Sequence, residues 1–482
     1  MTPFSNQAVT VAPKIHVVFW VVIAACLLFA ALATTNPLVS CGVIIAFALG
    51  VMLLWPVDPS RMLLFVFAYH WLQASIKVFQ ADFQVVPLEE LSIFGGQVDT
   101  ATWLSLAAVV VIAVGMRVAV ATRAGRRVSI AALPDYLTSV TPKFWFRVYL
   151  FSLLISLIAG EAAALVPGLS QPLLALSWIK WAGFWIFAYF TFLRPDRRID
   201  LFAMAFAIEM ILGVGGFFSD FKTAFFVSFI AMLASNSRVT PVRGLVAVCA
   251  LSLLIYMSLI WTAVKIDYRF FVGGGSNTQT VEVGYQERIR FLQELVSKLE
   301  NQDMSEAVDA ALARVSYVEF FGSVLDFVPS RVPHENGAIW LDAALRPLTP
   351  RLFFTEKSVI EDSIRTSNFT GLTLAGTEQG TSISIGYVGE SYIDFGYFGM
   401  FLPLFFWGAM LGLASRYFIN HSRIGGAIGG ALAVAVLLPQ ISMEASITKS
   451  FGGLVVSVLV ALLVARYVLP VGLKFLAREH TR

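Results

Sequence analysis

The stretch that decides the fold is GLVAVCALSLLIYMSLIWTAV, residues Gly244 to Val264, which contains no charged side chain. A helix rises about 1.5 Å per residue, so a run of this length covers the roughly 30 Å hydrocarbon layer of a bilayer. The whole chain agrees, since 58% of its 482 residues are hydrophobic and 13% are charged. A soluble protein of this size cannot bury so much apolar surface, so the composition predicts an integral membrane protein.

Further apolar stretches recur on both sides of this run and predict an all-α, polytopic membrane protein with about twelve transmembrane helices. The other strong candidates are His16–Ala33, Leu38–Trp55, Ala101–Ala121, Arg147–Leu165, Leu173–Leu193, Tyr397–Leu413 and Phe451–Leu469. The weaker candidates are Met62–Ile76, Asp200–Phe218, Thr223–Ser235 and Ile424–Ser442.

A far more polar segment follows the run that ends at Val264, and it predicts one large loop outside the membrane. The chain then divides into N-terminal transmembrane helices in residues 1–264, the large loop in residues 265–395, and C-terminal transmembrane helices with a short tail in residues 396–482. Apolar residues at helical spacing predict two amphipathic helices in this loop, Val281–Glu300 and Glu306–Phe327. We expect both to pack on the outer membrane face.

Arginines and lysines in the short connections predict the orientation of the chain. Basic residues such as Lys14, Arg123 and Arg194 all fall on one side of the predicted spans. Basic connections stay in the cytoplasm, so both termini are predicted to be cytoplasmic and the large loop to face outward. Residues Ile266 to Phe395 include 18 acidic and 10 basic side chains, so the large loop is net acidic, as exported loops can be.

Cysteine and histidine usage argues against a disulfide framework and a zinc site. Cys26, Cys41 and Cys249 all lie in predicted spans, and the five histidines show no HExxH or paired spacing. The chain has no Walker A sequence and no dinucleotide-binding fingerprint, so an ATP-driven pump is disfavoured. We expect no cofactor, no metal and no nucleic-acid partner.

Residues suited to phosphate chemistry lie at the outer membrane boundary or just beyond it. In chain order they are Lys222 at the outer end of a span, Asp267-Tyr268-Arg269 after another span, Arg351 and Lys357 in a Pro-rich part of the loop, and Gly389-Glu390-Ser391-Tyr392 before the next helix. An arginine binds two phosphate oxygens at once, and a lysine adds a point charge. Together they could neutralise a pyrophosphate without a metal.

This order of motifs resembles one known family. The elements that carry the resemblance are the lysine at a helix end, Tyr268-Arg269 after a span, Pro350-Arg351 with Lys357 six residues on, and Gly389-Glu390-x-Tyr392-x-x-Phe395-Gly396. They are similar to the Wzy-type O-antigen polymerases, which join the oligosaccharide repeat units of bacterial surface polysaccharides. The resemblance covers Phe217 to about Trp407 and departs from the family at Ser358, where proline is frequent. It implies a C-type glycosyltransferase fold in the bacterial inner membrane, with the large loop in the periplasm.

The resemblance also implies a reaction, in which a growing glycan moves from undecaprenyl pyrophosphate onto the sugar of the next lipid-linked unit. The implied partners are undecaprenyl-pyrophosphate-linked oligosaccharide, the lipid bilayer and a chain-length regulator protein. The residues expected at the departing pyrophosphate are Arg269, Arg351, Lys357 and Lys222, with Arg288, Arg290 and Arg314 as second choices. Glu390 or Asp267 would take the proton of the acceptor hydroxyl. Tyr268, Tyr387 and Tyr392 could stack on sugars.

Two other functions stay open. Glu161 and Glu209 lie inside predicted spans, and in a proton-coupled transporter or flippase of lipid-linked glycans they would form the proton relay. A transporter concentrates polar residues near the midplane of two related halves, whereas here they cluster at the outer boundary. An O-antigen ligase, which transfers finished polysaccharide to lipid A core, shares the chemistry and the large outer loop.

The candidate residues also have plainer roles. Lys222 and Tyr392 suit anchors in the membrane interface, and Arg269 and Arg351 suit salt bridges with acids of the loop. Arg288, Arg290 and Arg314 suit the polar faces of amphipathic helices, and Glu390 suits a hydrogen bond to the backbone at the start of a helix.

Overall fold

The computed structural model describes residues 17–121, 130–137, 140–193, 198–214, 221–235, 241–275, 282–299, 301–349, 354, 360–374, 376, 382–420 and 424–480. Within these ranges the chain is helical and contains no strand.

The first ten helices are α1 (Val17–Ala33), α2 (Pro37–Leu54), α3 (Met62–Gln84), α4 (Val98–Ala121), α5 (Pro142–Leu165), α6 (Ser170–Ser177), α7 (Ile179–Leu193), α8 (Ile199–Val214), α9 (Phe221–Ala234) and α10 (Pro241–Val272). The next ten are α11 (Tyr285–Ser297), α12 (Asn301–Val315), α13 (Val318–Phe327), α14 (Ala338–Leu345), α15 (Asp362–Thr370), α16 (Tyr387–Gly399), α17 (Phe401–Ile419), α18 (Gly425–Leu437), α19 (Ile447–Leu463) and α20 (Leu469–His480). Short 3-10 turns, such as Leu88–Leu91, connect some of them.

Eight helical stretches in the described ranges are long and apolar enough to cross a membrane. They are Pro37–Leu54, Met62–Gln84, Val98–Ala121, Pro142–Leu165, Pro167–Leu193, Gly244–Val272, Phe401–Ile419 and Ile447–Leu473. Shorter apolar helices lie at Val17–Ala33, Phe221–Ala234 and Gly425–Gln440. The expectation of an all-α chain rich in apolar helices is confirmed for the described residues, while the figure of about twelve spans stays a prediction.

Glycines let α4 and α17 pack with their backbones in contact. A Cβ atom on Gly115 of α4 would collide with the carbonyl oxygen of Phe405, and one on Gly408 of α17 with that of Ile112. Gly412 makes the same kind of approach one turn further along. Small residues four apart are typical of transmembrane helices that associate through close van der Waals packing. Helices α2, α3, α13 and α18 pack around this pair.

Polar contacts connect the helices at the end of the bundle where α3 ends and α4 begins. At the connection between α1 and α2, the backbone N–H and the side-chain amide of Asn36 both donate to Asp82 Oδ1 of α3 at 3.0 Å. The Leu88 N–H donates to Asn36 Oδ1 at 2.9 Å. The Gln97 N–H donates to the Gly322 carbonyl oxygen at 3.2 Å, which brings α13 to the start of α4. The end of α3, the start of α4 and part of the predicted loop therefore meet at one end.

The predicted amphipathic helix Glu306–Phe327 is divided into α12 and α13, because the chain turns into the core at the junction. There the Tyr317 N–H donates to the Gln73 carbonyl oxygen of α3 at 3.2 Å. Helix α13 is mostly buried, and its Glu319 pairs with Lys77 of α3. It therefore packs within the helix bundle, which differs from the surface position that its periodicity predicted.

Both ends of the predicted loop also differ from the observed helices. Helix α10 continues past Lys265 to Val272, and α16 begins at Tyr387, before the expected re-entry at Gly396. Gly396 has a φ of 67° and ψ of −169°, a conformation open to glycine, and it separates the helical turns of α16 from α17. The segment that leads into α17 is thus itself a buried helix.

Helix α10 belongs to a second, smaller apolar cluster. Tyr268, Trp261 and Val264 of α10 pack there with Phe221 and Phe225 of α9, and apolar residues of α11 cover the outer side. Helix α11 matches the first predicted amphipathic helix, Val281–Glu300, within a few residues. Its apolar face lies against α10 because burial of that face removes nonpolar surface from water.

Candidate active site

Helices α15, α16 and α19 meet at their N-terminal ends and bring together two acids and two cations. We call this group the acid–cation cluster and define it as Asp362, Arg365, Ser382, Glu390 and Lys449. Asp362 and Arg365 lie three residues apart on α15, which places them on one face of that helix. Glu390 lies in the first turn of α16, and Lys449 in the first turn of α19.

Backbone contacts fix the relative positions of these three helices. The Tyr387 N–H at the start of α16 donates to the Ala445 carbonyl oxygen at 3.1 Å, just before α19 begins. The Ile383 N–H donates to Ser363 Oγ of α15 at 3.0 Å. Gly386, with φ of 82°, lies so close to the Met443 carbonyl oxygen that a Cβ atom would collide with it. The chain can approach this closely only because position 386 is glycine.

Glu390 is buried and both of its carboxylate oxygens are engaged. Arg365 Nη1 donates to Glu390 Oε1 at 3.0 Å, and the Ile447 N–H donates to Glu390 Oε2 at 2.6 Å. The second contact caps the N-terminus of α19, where the helix dipole favours negative charge. Burial raises the pKa of the Glu390 carboxyl, and the Arg365 guanidinium and the Ile447 N–H oppose that rise.

The second acid of the cluster, Asp362, is engaged on one side only. Lys449 Nζ lies 2.6 Å from Asp362 Oδ2, and Ser382 Oγ lies 3.4 Å from the same oxygen. Asp362 Oδ1 is buried and has no hydrogen-bond partner within the described part of the chain. Both cations extend toward the surface, since the side chain of Arg365 is 24% exposed and that of Lys449 is 42% exposed.

A layer of buried hydrogen bonds supports α16 from the side of α3. Tyr387 Oη lies 3.0 Å from His70 Nε2, and the Gly389 N–H donates to Tyr317 Oη at 2.6 Å. Gln73 Nε2 donates to Glu444 Oε1 at 3.0 Å, and the Met443 N–H donates to Gln73 Oε1 at 2.8 Å. Buried polar groups that all find partners hold one arrangement in place.

Asp394, one turn after Glu390, holds the start of α14. The N–H groups of Ile339 and Trp340 donate to its two carboxylate oxygens at 3.2 and 2.9 Å. Trp340 Nε1 donates to Ser391 Oγ at 3.0 Å. The pKa of the Asp394 carboxyl is raised by burial, and the hydrogen bonds from the two N–H groups offset only part of that rise. Glu390 and Asp394 of α16 therefore fix the positions of α14, α15 and α19.

The predicted residues of α10 and α11 form a different group. Asp267 is exposed, Tyr268 is fully buried and Arg269 is half-buried. The Arg288 guanidinium lies 5.5 Å from the centre of the Tyr285 ring, and Arg290 is exposed on the same helix. Asp267 also lines an open, mostly apolar hollow of about 520 Å³ between α10 and α11.

The remaining predicted cations are placed as follows. Lys222 is half-buried in the first turn of α9, beside the apolar cluster of α10. Arg314 lies near the end of α12, and its side chain lies outside the described residues. Arg351 and Lys357 also lie outside the described residues, and in sequence both precede Asp362 of the acid–cation cluster.

The tyrosines expected to stack on sugars are buried in protein. Tyr268 and Tyr392 are 0% exposed and Tyr387 is 1% exposed. Tyr392 Oη donates to the Val328 carbonyl oxygen at 2.9 Å, and Tyr387 contacts His70. In this arrangement their rings lie among protein side chains and support α10 and α16. Stacking on sugars and the interfacial role of Tyr392 stay predictions.

The structure thus separates the predicted site residues into two groups. Glu390 and Tyr392 belong with the main core, whereas Tyr268 and Arg269 belong with the second cluster around α10. Asp362, Arg365 and Lys449 are not among the predicted site residues. A signal was present for Lys449, since a lysine between two apolar runs is costly near a membrane, but its acidic partner lies far away in sequence.

The two predicted intramembrane acids differ in environment. Glu161 of α5 is exposed, whereas Glu209 of α8 is buried. Lys180 Nζ lies 2.7 Å from Glu209 Oε2, and Tyr149 Oη donates to Glu209 Oε1 at 3.0 Å. Glu209 therefore has a lysine partner, as the cost of an unpaired charge inside an apolar bundle requires. Within the described residues, no group of three or more His, Cys, Asp or Glu side chains could hold a metal ion.

Comparison with known proteins gives one match. The family described as Domain of unknown function (DUF8712) matches residues 65–441, which contain every predicted site residue and all but one member of the acid–cation cluster, Lys449. No curated protein and no solved structure matches the chain.

Proposed function

The chain belongs to the DUF8712 family, and we propose that it is a membrane glycosyltransferase that polymerises oligosaccharide repeat units carried on undecaprenyl pyrophosphate. The support is the motif order from Lys222 to Gly396, together with the chemistry of the acid–cation cluster. The proposal includes a bacterial inner-membrane location, cytoplasmic termini and a reaction at the outer face.

The observation that carries the proposal is the arrangement of Arg365 and Lys449. Each cation is held on one side by a buried carboxylate and extends toward the surface on the other. A guanidinium has five N–H donors, of which those on Nη1 contact Glu390 Oε1 at 3.0 Å and Thr448 Oγ1 at 3.5 Å. The other donors suit the oxygens of a pyrophosphate, which prefer charge-assisted, bidentate contacts.

The proposed chemistry needs two contributions from the protein. Arg365 and Lys449, with Arg351 and Lys357 from the adjoining segment, would stabilise the negative charge that develops on the departing pyrophosphate. A carboxylate of the cluster would take the proton from the acceptor hydroxyl. Cations fixed by ion pairs are already oriented, so little reorganisation is needed when charge develops.

The α10–α11 group fits a secondary role in this proposal. Its hollow lies next to Asp267, and Arg269, Arg288 and Arg290 are nearby on the two helices. Such a site would receive an apolar segment of the lipid carrier, with the arginines near its phosphates. The chain-length regulator protein remains a proposed partner.

Surface polysaccharide from a deletion strain tests the proposed function in the cell. A polymerase deletion should retain material with a single repeat and lose the ladder of longer chains. An O-antigen ligase deletion should instead lose all attached polymer and leave polymer on the lipid carrier. An unchanged ladder in the deletion strain would remove both transferase proposals.

A purified system tests the role of Arg365. The lipid-linked oligosaccharide extracted from the deletion strain serves as donor and acceptor, and chain length is read on a gel. Arg365→Gln should lower turnover about 100-fold or more, by analogy with the loss of other groups that stabilise developing negative charge. Arg346→Gln is the matched control. Arg346 also forms an ion pair with an acid, Asp342, but the pair lies at the C-terminal end of α14 and is not part of the acid–cation cluster. Equal turnover in both variants would contradict the proposal.

A proton-coupled transporter is the second candidate, and the buried Glu209 favours it. An acid that bonds both Lys180 and Tyr149 within an apolar bundle is a group that can bind and release a proton. Glu209→Gln separates the candidates. If the purified variant polymerises lipid-linked oligosaccharide as the wild type does, Glu209 is structural; if only transport of the lipid-linked glycan into the outer leaflet fails, the transporter is favoured.

A further inference from the structure

The two acids of the cluster differ in what their oxygens can still bind. Glu390 Oε1 accepts from Arg365 and Oε2 accepts from the Ile447 N–H, so both oxygens are in use. Asp362 Oδ2 is held by Lys449, while Oδ1 is buried without a partner among the described residues. A buried acceptor without a donor is unfavourable, and most native structures avoid it. The unused oxygen is therefore the one in this cluster that can accept a hydrogen bond from a bound hydroxyl.

We propose that Asp362, rather than Glu390, is the general base that receives the acceptor hydroxyl. This inference rests on the proposed glycosyltransferase function. The hydroxyl of the incoming sugar donates to Asp362 Oδ1, which completes the hydrogen bonding of the carboxylate. Arg365, on the same face of α15 and one turn away, holds the departing pyrophosphate on the neighbouring side.

The atoms and charges balance in a single transfer step. The acceptor O–H gives its proton to Asp362 Oδ1, and the oxygen forms a bond to the anomeric carbon of the donor sugar. The bond from that carbon to the phosphate oxygen breaks, and its electron pair leaves with undecaprenyl pyrophosphate. Asp362 then returns the proton to water.

Lys449 and Glu390 act as positioning residues in this scheme. The Lys449 ammonium holds Oδ2 at 2.6 Å and so directs Oδ1 toward the position of the hydroxyl. Glu390 fixes Arg365 and caps α19, the helix that carries Lys449. Loss of Glu390 should therefore weaken both donor binding and the stabilisation of the departing pyrophosphate, whereas loss of Asp362 should slow the chemical step alone.

The experiment measures kcat and KM for the lipid-linked oligosaccharide of the deletion strain, with purified full-length protein. Asp362→Asn should lower kcat about 100-fold or more with KM within about threefold of wild type, the usual effect of a lost general base. Glu390→Gln should raise KM as well as lower kcat, because it displaces Arg365. Asp326→Asn, which changes an exposed acid on α13, is the matched control and should stay near wild type.

A second variant keeps the test valid if Asp362→Asn does not fold. Asp362→Glu retains the charge that pairs with Lys449 but moves the oxygens by one methylene, so it should fold and still lose kcat. Thermal unfolding of each purified variant shows whether the loss is catalytic. A folded Asp362→Asn or Asp362→Glu with kcat within tenfold of wild type overturns the inference, and so does a loss of kcat confined to Glu390→Gln. Wild-type protein that makes no polymer at all would instead contradict the proposed function.

Discussion

Lys77 Nζ lies 2.5 Å from Glu319 Oε1, and both side chains are only 3% exposed. This pair joins α3, which is long and apolar enough to cross a membrane, to α13, for which sequence periodicity predicts a surface position. The Ile93 N–H donates to the other carboxylate oxygen of Glu319 at 3.1 Å. Since a buried charge is tolerated only when it is paired and hydrogen-bonded, this contact specifies where α13 docks.

The first prediction concerns this pair. Lys77→Met leaves the Glu319 carboxylate buried without its cation, so it should destabilise the protein by about 3–5 kcal/mol. The double variant Lys77→Met/Glu319→Leu should recover most of that loss, because no uncompensated charge remains. The midpoint of thermal unfolding in detergent measures both effects.

The control for this prediction is the exposed pair Lys298 and Glu294, whose side chains are 69% and 54% exposed. Lys298→Met should change stability by about 0.5 kcal/mol or less, as is usual for a solvated ion pair within one helix. If Lys77→Met is no more damaging than Lys298→Met, the buried pair does not hold α13.

The second prediction concerns the contact between α4 and α17. Gly408→Ala places a Cβ atom against the Ile112 carbonyl oxygen, and backbone cannot yield as a flexible side chain can. We expect a loss of about 1–3 kcal/mol from overpacking, measured by thermal unfolding. Gly160→Ala is the control, since nothing lies within 4 Å of its added Cβ. Equal stability of the two variants would argue against the close helix pair.

The third prediction concerns Arg351. If its guanidinium binds two phosphate oxygens in the transition state, an ammonium cannot replace it, because the planar geometry is lost although the charge is kept. Arg351→Lys should therefore lose nearly as much activity as Arg351→Ala, a barrier increase on the order of 2–4 kcal/mol. Arg331→Ala, in the same predicted loop, should stay near wild type. Normal polymer from Arg351→Lys at equal protein abundance would show that Arg351 does not serve the leaving group.

The fourth prediction concerns orientation. A reporter that is active only outside the cytoplasm should be active when fused within Asn301–Ser305 and silent when fused at Ala124. The physical reason is the excess of arginine in the connection around Ala124, which favours retention in the cytoplasm. An active reporter at Ala124 would invert the topology and place the acid–cation cluster on the cytoplasmic side.

The fifth prediction concerns divalent ions. Polymerisation of purified lipid-linked oligosaccharide should continue in the presence of a chelator, because arginine and lysine side chains replace the ion at the pyrophosphate. Turnover that stops with chelator and returns with magnesium or manganese would contradict this mechanism. The same assay on Arg365→Gln shows whether turnover without a divalent ion depends on the Arg365 guanidinium.

Glu390 illustrates how far sequence reasoning reached at the site. Its motif, at the start of a helix, marked it as a candidate, and the structure places it at the centre of the acid–cation cluster. Its partners could not be predicted, because Arg365 is 25 residues away and Ile447 is 57 residues away in the chain. Asp362 had no recognisable motif. In the described part of the folded protein its Oδ1 is buried without a hydrogen bond or a cation, whereas Glu319 Oε1, which also lacks a hydrogen bond, lies against Lys77.

The sequence by itself determined that this protein is built from apolar helices, and it located nearly all of them, because hydrophobicity over a run such as Gly244–Val264 is a local property. Only the tertiary structure decided that α13 and α16 are buried and that Asp362, Arg365, Glu390 and Lys449 lie together. Those arrangements depend on glycine contacts and on ion pairs between distant segments, such as Lys77 with Glu319. Periodicity reports that a helix has an apolar face, but the partner of that face is set by packing and charge pairing across the whole fold.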